Sequence, residues 1–213
     1  MLKTAHVRNH GPKKCDGAQL LKHIFRRVCK DFGTRRVYLD LFCGDHGIDR
    51  QLRRRGEAVI ALDISDDPRF DLTSPKVAAV VFGWIRSGCI KGVWLAIPCT
   101  SWSRARHGPS HSSWGPLRTN QHLFGIPGLS AKDLHKTKVG NQTMFFTHKI
   151  IRLCISLSVP CFLENPVGSM TRVCAHHSSR QFITDFCQHG ARWRKRTRIQ
   201  GWLSQDDLSL IHI

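Results

Sequence analysis

The sequence predicts an α/β domain: a mostly parallel sheet with helices on both faces. Three observations carry that prediction. Residues 36–64 read as a strand, a glycine turn, a basic helix and a second strand that closes on an acid, Asp63. Two later apolar runs, residues 92–97 and 159–163, stop abruptly at polar groups, at Pro98-Cys99 and at Glu164-Asn165-Pro166. Segments of helical period separate these runs, as parallel strands require, because each needs a crossover to return to the same edge.

Taken in order, residues 1–16 are basic and polar and are expected to form a loose arm. In residues 18–31, Leu20, Leu21, Ile24, Phe25 and Val28 fall on one stripe of a helix, and Gly33 suits its carboxyl cap. RVYLDLF (36–42) follows as the first strand, and Cys43-Gly44-Asp45-His46-Gly47 as a tight turn. Residues 48–55 form a basic helix, and 58–64 the second strand. Phe70-Asp71-Leu72 reads as a short extended piece. The next helix covers 74–90, with Ser74 and Pro75 at its start. In the strand at 92–97, Pro98 ends the ladder because it lacks an N–H. A long polar loop is expected over 104–140, then an amphipathic helix at 141–158 and a buried strand at 159–163. Residues 180–188 are predicted to be helical. One domain over 17–203 and a short tail, 204–213, complete the chain.

Composition narrows the class. Thirty-three Lys and Arg against fifteen Asp and Glu leave a net charge of +18, with arginines clustered at 50–55, 104–106 and 192–198. Such an excess points to a polyanionic partner, for which nucleic acid is the usual choice. No apolar run is long enough to span a bilayer and no signal-peptide core is visible, so an intracellular protein is expected. Nine cysteines without paired spacing read as reduced thiols. Cys174-Ala-His176 and Cys187-Gln-His189 offer zinc-type ligands, but their spacing matches no common structural pattern, and no metal is expected.

Three segments stand in one order: LDLFCGDHG at 39–47, IPCTSWS at 97–103 and FLENP at 162–166. Together they resemble the cytosine-5 DNA methyltransferase family, with its Asp-Leu-Phe glycine turn, Pro-Cys loop and Glu-Asn strand end. His46 stands where that family carries the first of two glycines, and Pro166 where it carries valine. The resemblance implies a Rossmann-like class I methyltransferase fold and S-adenosylmethionine as methyl donor. Asp40, Phe42, Gly44, Gly47, Asp63, Asp71 and Pro98 would surround that donor, with Asp63 at the ribose and Asp71 at the adenine amine. Cys99 would add to carbon 6 of cytosine. Glu164, at least partly protonated, would hydrogen-bond ring nitrogen 3 and the exocyclic amine. Arg196 and Arg198, near a Gln-x-Arg-x-Arg-like segment with Arg194 at the glutamine position, would orient the base or pair with phosphate. Ser101, Trp102, Ser103, Arg104, Arg106, Asn165 and Arg194 would contact the nucleic acid, from which the target base must be flipped.

Read on the residues alone, Cys99 is equally a small buried hydrophobe and Glu164 equally a strand-end acid paired to a cation. Two further functions stay open beside DNA methylation. One is a catalytically impaired nucleic-acid-binding protein of the same fold; the other is a cytosine methyltransferase acting on RNA.

Overall fold

The computed structural model of the chain describes residues 15–102, 115–168, 180–189 and 195–202. Its centre is one six-stranded sheet in the order β2-β1-β3-β4-β6-β5. The strands are β1 (Val37–Leu41), β2 (Val59–Leu62), β3 (Ile90–Leu95), β4 (Cys161–Pro166), β5 (Arg180–Asp185) and β6 (Arg196–Trp202). β1 pairs in parallel with β2 and β3, and β3 with β4. β6 is antiparallel to both β4 and β5, which makes the sheet mixed at one side.

Four helices connect the strands: α1 (Gly17–Phe32), α2 (Gly47–Arg54), α3 (Pro75–Arg86) and α4 (Ala131–Ser156). Right-handed crossovers fix their sides. β1 to β2 steps one way across the sheet and places α2 on one face. The steps β2 to β3 and β3 to β4 run the other way and place α3 and α4 on the opposite face, where α1 joins them. Strand alternation matches this division. Val37, Leu39, Leu41, Val93, Leu95, Cys161 and Leu163 point into the core shared with α1, α3 and α4. Tyr38, Trp94 and Phe162 point to the α2 side, where Trp94 and Phe162 stack at 5.6 Å beside Ile48 and Leu52.

α1 forms because its apolar stripe has something to cover. Leu20, Leu21, Ile24 and Val28 are buried, and Phe25 stacks on Trp84 of α3. Burying four such side chains contributes roughly 6–12 kcal/mol. Asp16 caps its start by accepting the Gln19 N–H at 2.9 Å, and Gly33 ends it in the left-handed region at φ 60°.

Three sequence expectations are corrected. Residues 180–188 form strand β5 and a 3-10 turn, because Phe182, Ile183 and Thr184 can pair with Ile199, Arg198 and Thr197 of β6. α4 begins ten residues before its expected start, since Ser130 supplies a cap, accepting the Asp133 N–H at 3.2 Å. The 70–72 segment is the end of a 3-10 turn, Pro68–Phe70, whose Phe70 is fully buried. Among the described residues no helix is long and apolar enough to cross a membrane.

Candidate functional site

The parallel strands β1, β2, β3 and β4 end at one edge of the sheet, and loops leave from there. In open α/β sheets that carboxyl edge is where ligands bind. It receives the 42–47 turn after β1, Asp63 after β2, Pro98 and Cys99 after β3, and Glu164 to Pro166 at the end of β4. Because β6 runs antiparallel to β4, its first residues, Arg196 and Arg198, arrive at the same edge, opposite Asp185 and Asn165.

The β1 turn is tightly specified. Phe42, Gly44 and His46 all have positive φ, at 60°, 48° and 56°. For Phe42 and His46 this conformation costs free energy, so the surroundings must hold it. They do. Phe42 packs edge-on against Phe146 of α4, and its N–H donates to Leu62 O at 2.8 Å. The His46 ring lies 3.1 Å from Asp66 and 3.4 Å from Asp49. Burial opposes the charged imidazole, but the hydrogen bond to Asp66 and the charge of Asp49 raise its pKa above the usual histidine value. Gly44 is exposed, and its N–H donates to Asp63 Oδ2 at 3.1 Å. Asp63 Oδ1 accepts from the Ser65 N–H and hydroxyl. Asp71 is occupied in the same way by Thr73 N–H and Oγ1.

Asp40, expected among the donor contacts, is buried beneath the turn. It is 1% exposed, and its Oδ2 accepts the Asp49 N–H at 3.1 Å, fixing the start of α2 to β1. Burial, reinforced by the Asp49 charge, pushes its pKa up to about 7. Its Oδ1 has no partner among the described residues.

Cys99 is partly exposed, and its carbonyl accepts the Trp102 N–H at 2.9 Å, so residues 99–102 form a turn. The turn is anchored by a residue that sequence reading missed, Arg118. Its guanidinium, 1% exposed, donates to Ser101 O (2.9 Å), Ser101 Oγ (3.1 Å), Thr137 O (3.1 Å), Leu123 O (2.5 Å) and Asn141 Oδ1 (2.7 Å). It also stacks on Trp102 at 3.5 Å. All of these acceptors are neutral, and burial alone lowers its pKa to about 10. Trp102 Nε1 donates to Gly140 O, and Gly140 lies so close to Ser101 Oγ and Arg118 that a Cβ would not fit. Ser101 and Trp102, expected to touch nucleic acid, are therefore buried loop anchors at 6% and 1% exposure. The only advance signal for Arg118 was an arginine between tryptophan-rich and glycine-rich stretches, which specifies nothing without the fold.

Glu164 accepts from Lys195 Nζ at 2.9 Å, so a lysine already occupies the carboxyl that the sequence assigned to the base. Asn165 is also buried rather than at a surface, 3% exposed, and neither its amide nitrogen nor its oxygen has a partner among the described residues. Arg198 Nη2 donates to Val167 O at 3.3 Å, while Arg196 is exposed. Gly47 and Pro98 are exposed as well. Ser103, Arg104, Arg106, Arg194, Trp114 and the Cys174 to His177 group lie outside the described residues. The 50–55 arginines are split by the fold. Arg50 braces the turn through His46 O and Asp45 O, whereas Arg54 and Arg55 are exposed at the far end of α2, at the opposite sheet edge.

No family model matches the chain, and no curated protein matches it.

Proposed function

We propose that the chain transfers a methyl group from S-adenosylmethionine to carbon 5 of cytosine in DNA, on a Rossmann-like methyltransferase fold. The observation that supports this most is placement. Cys99 follows β3 and Glu164 lies on β4, adjacent parallel strands in register from Val93↔Cys161 to Leu95↔Leu163. The glycine turn follows β1, the next strand over.

The residues of the β1–β2 edge fit a ribose-bearing donor. Gly44 and Gly47 expose backbone with no side chain in the way, and Asp63 is a partly buried carboxylate facing the turn. Three of its roughly four lone-pair sites are taken, and the Ser65 hydroxyl is the partner a ribose hydroxyl replaces most easily. Bound there, the donor supplies an electrophilic methyl group. The Cys99 thiolate adds to carbon 6 of cytosine, which makes carbon 5 nucleophilic; once carbon 5 has taken the methyl group and the demethylated donor has been left behind, loss of the carbon 5 proton to water expels the sulfur and restores the thiolate. Glu164 stabilises the ring during addition, and for this an entering base must displace Lys195. Arg196, exposed at the same edge, meets phosphate.

One observation favours a second reading, a nucleic-acid-binding protein without catalysis: the Lys195–Glu164 pair fills the base-binding carboxyl. Incubation with labelled donor and 5-fluorocytosine DNA separates the two. A covalent adduct that disappears in Cys99→Ser supports the enzyme; DNA binding with no adduct supports the binder. The same assay with 5-fluorocytosine RNA tests the substrate.

A further inference from the structure

The β1 turn carries a second chemistry that methyl transfer does not use. Cys43 and His46 are the ends of a Cys-x-x-His turn closed by the hydrogen bond from His46 N to Cys43 O at 2.9 Å, so both side chains leave the same tight loop. Asp66 comes from the neighbouring loop after β2, stitched to this one through Asp63, which accepts the Gly44 N–H and whose carbonyl accepts the Asp66 N–H at 3.1 Å. The thiol, one ring nitrogen and a carboxylate oxygen all lie within 4.8 Å of one another.

We propose that Cys43, His46 Nε2 and Asp66 form a binding site for a zinc-type divalent cation, with a fourth position open to water. The reading stands on these residues and does not depend on methyl transfer.

The geometry fits. Metal–sulfur bonds of about 2.3 Å and metal–nitrogen or metal–oxygen bonds of about 2.0–2.1 Å at tetrahedral angles put neighbouring ligands roughly 3.3–3.6 Å apart. Here Cys43 Sγ lies 3.8 Å from Asp66 Oδ2, and His46 Nε2 lies 3.1 Å from the Asp66 carboxylate. Both distances to Asp66 are within about 0.3 Å of that spacing, and the sulfur and the ring nitrogen lie within 4.8 Å of each other. The ligand set also fits: thiolate, imidazole and carboxylate together suit zinc or cobalt rather than magnesium or calcium.

The surroundings are those of a metal ligand set. A metal-bound histidine uses one ring nitrogen and donates the other to an oriented carboxylate. Asp49 fills that role, with Oδ2 3.4 Å from both His46 Nδ1 and Arg53 Nη2, while its Oδ1 is buried without a partner among the described residues. Cys43 is 8% exposed, so the sulfur side of the site is dry. His46 and Asp66 retain about 30% and 29% of their side-chain exposure, which leaves the other side accessible. In a chain of net charge +18, the carboxylates of Asp49 and Asp66 both lie against the His46 ring. An added cation is favoured by that local concentration of negative charge. The Cys-x-His pairs singled out in the sequence are not part of this site.

Titration of the untagged, chelator-treated full chain with cobalt(II) tests the proposal. One cobalt per chain is expected, with a thiolate-to-cobalt charge-transfer band in the near ultraviolet that one equivalent of zinc removes. Cys43→Ser should abolish the band; His46→Gln and Asp66→Asn should weaken binding at least tenfold; Asp49→Asn, acting through His46, should weaken it about tenfold. Cys187→Ser, at an exposed thiol, should change nothing. Because Cys43 is buried and its variant could misfold, His46→Gln and Asp66→Asn, both at partly exposed positions, carry the test with folding followed by far-ultraviolet circular dichroism. Absence of a thiolate–cobalt band in the wild type overturns the proposal. So does cobalt affinity that is undiminished in folded His46→Gln and Asp66→Asn.

Discussion

Replacing Arg118 with methionine removes the pin beneath the 99–102 turn, and the structure sets the size of the loss. Five charge-assisted hydrogen bonds disappear. At the low end of about 1.5 kcal/mol each, they contribute roughly 7 kcal/mol. Against this, the variant no longer buries a cation. That burial lowers the arginine pKa from its ordinary 12.5 to about 10, equivalent to roughly 3 kcal/mol at 1.36 kcal/mol per pH unit. The net destabilisation is about 4 kcal/mol, within the range seen when one side of a buried charged contact is deleted. For a chain of this size that lowers the midpoint of thermal unfolding by about 8–16 °C. Arg118→Lys, which keeps the charge but offers three donors and no flat face for Trp102, should lose part of that stability. Differential scanning calorimetry measures the shift, and the labelling rate of Cys99 by a maleimide, against a Cys99→Ser control, reads the loop directly. The rate should rise in Arg118→Met at temperatures where the fold remains intact. An Arg118→Met protein that melts within about 1 °C of wild type, or an Arg118→Lys protein indistinguishable from it, would refute this account.

Gly140→Ala should destabilise the protein by more than 1 kcal/mol in urea titration, although alanine favours a helix by about that amount, because the new methyl meets Ser101 Oγ and sits 3.0 Å from Arg118 Nη2. Asp40 binds its proton more tightly folded than unfolded, so stability is greatest at low pH and is lost as pH rises towards 7. The loss is about 2 kcal/mol between about pH 5 and about pH 7, with chelator present, and Asp40→Asn should flatten that slope in denaturant titrations. DNA affinity should fall steeply with salt. Lys132→Ala and Lys138→Ala, exposed on the first turns of α4, should each reduce the log–log slope by about 1, while Arg54→Ala at the opposite edge should leave it unchanged.

The parallel half of the fold was legible because local signals and tertiary needs agree there. Leu39 and Leu41, Val93 and Leu95, and the stripe of α1 are apolar at the spacing their final environment requires, and glycines and Pro98 mark the ends. The antiparallel side was not legible for the converse reason. Residues 180–189 are polar at one end, with Phe182 and Ile183 still 48% and 52% exposed, so their strand form comes from pairing with β6 rather than from a buried face. Pairing between segments ten or more residues apart leaves no local period to read. The early start of α4 was hidden similarly: the segment before residue 141 is polar and was expected to be loop, and Gly140, a poor helix former, is needed so that Ser101 and Trp102 can approach.

The candidate site divides along the same line, and the division bears on function. The residue types at the sheet edge, Cys99, Glu164 and Asp63, could be named from sequence because each interrupts an apolar run. Their partners could not, since Arg118, Lys195, Asp66 and Asn141 sit in polar stretches where every position looks alike. Those partners decide the chemistry. In the proposed function, Lys195 on Glu164 sets whether a pyrimidine is stabilised or only a structural ion pair is made, so Lys195→Met is the informative variant. It frees the carboxyl without altering Cys99 or the arginines at the edge. If the chain is the proposed enzyme and a base has to displace this lysine, adduct formation with 5-fluorocytosine DNA should rise in Lys195→Met, while DNA affinity falls only by the contribution of one charge. If affinity falls and no adduct appears in either protein, the ion pair is structural and the binding reading holds.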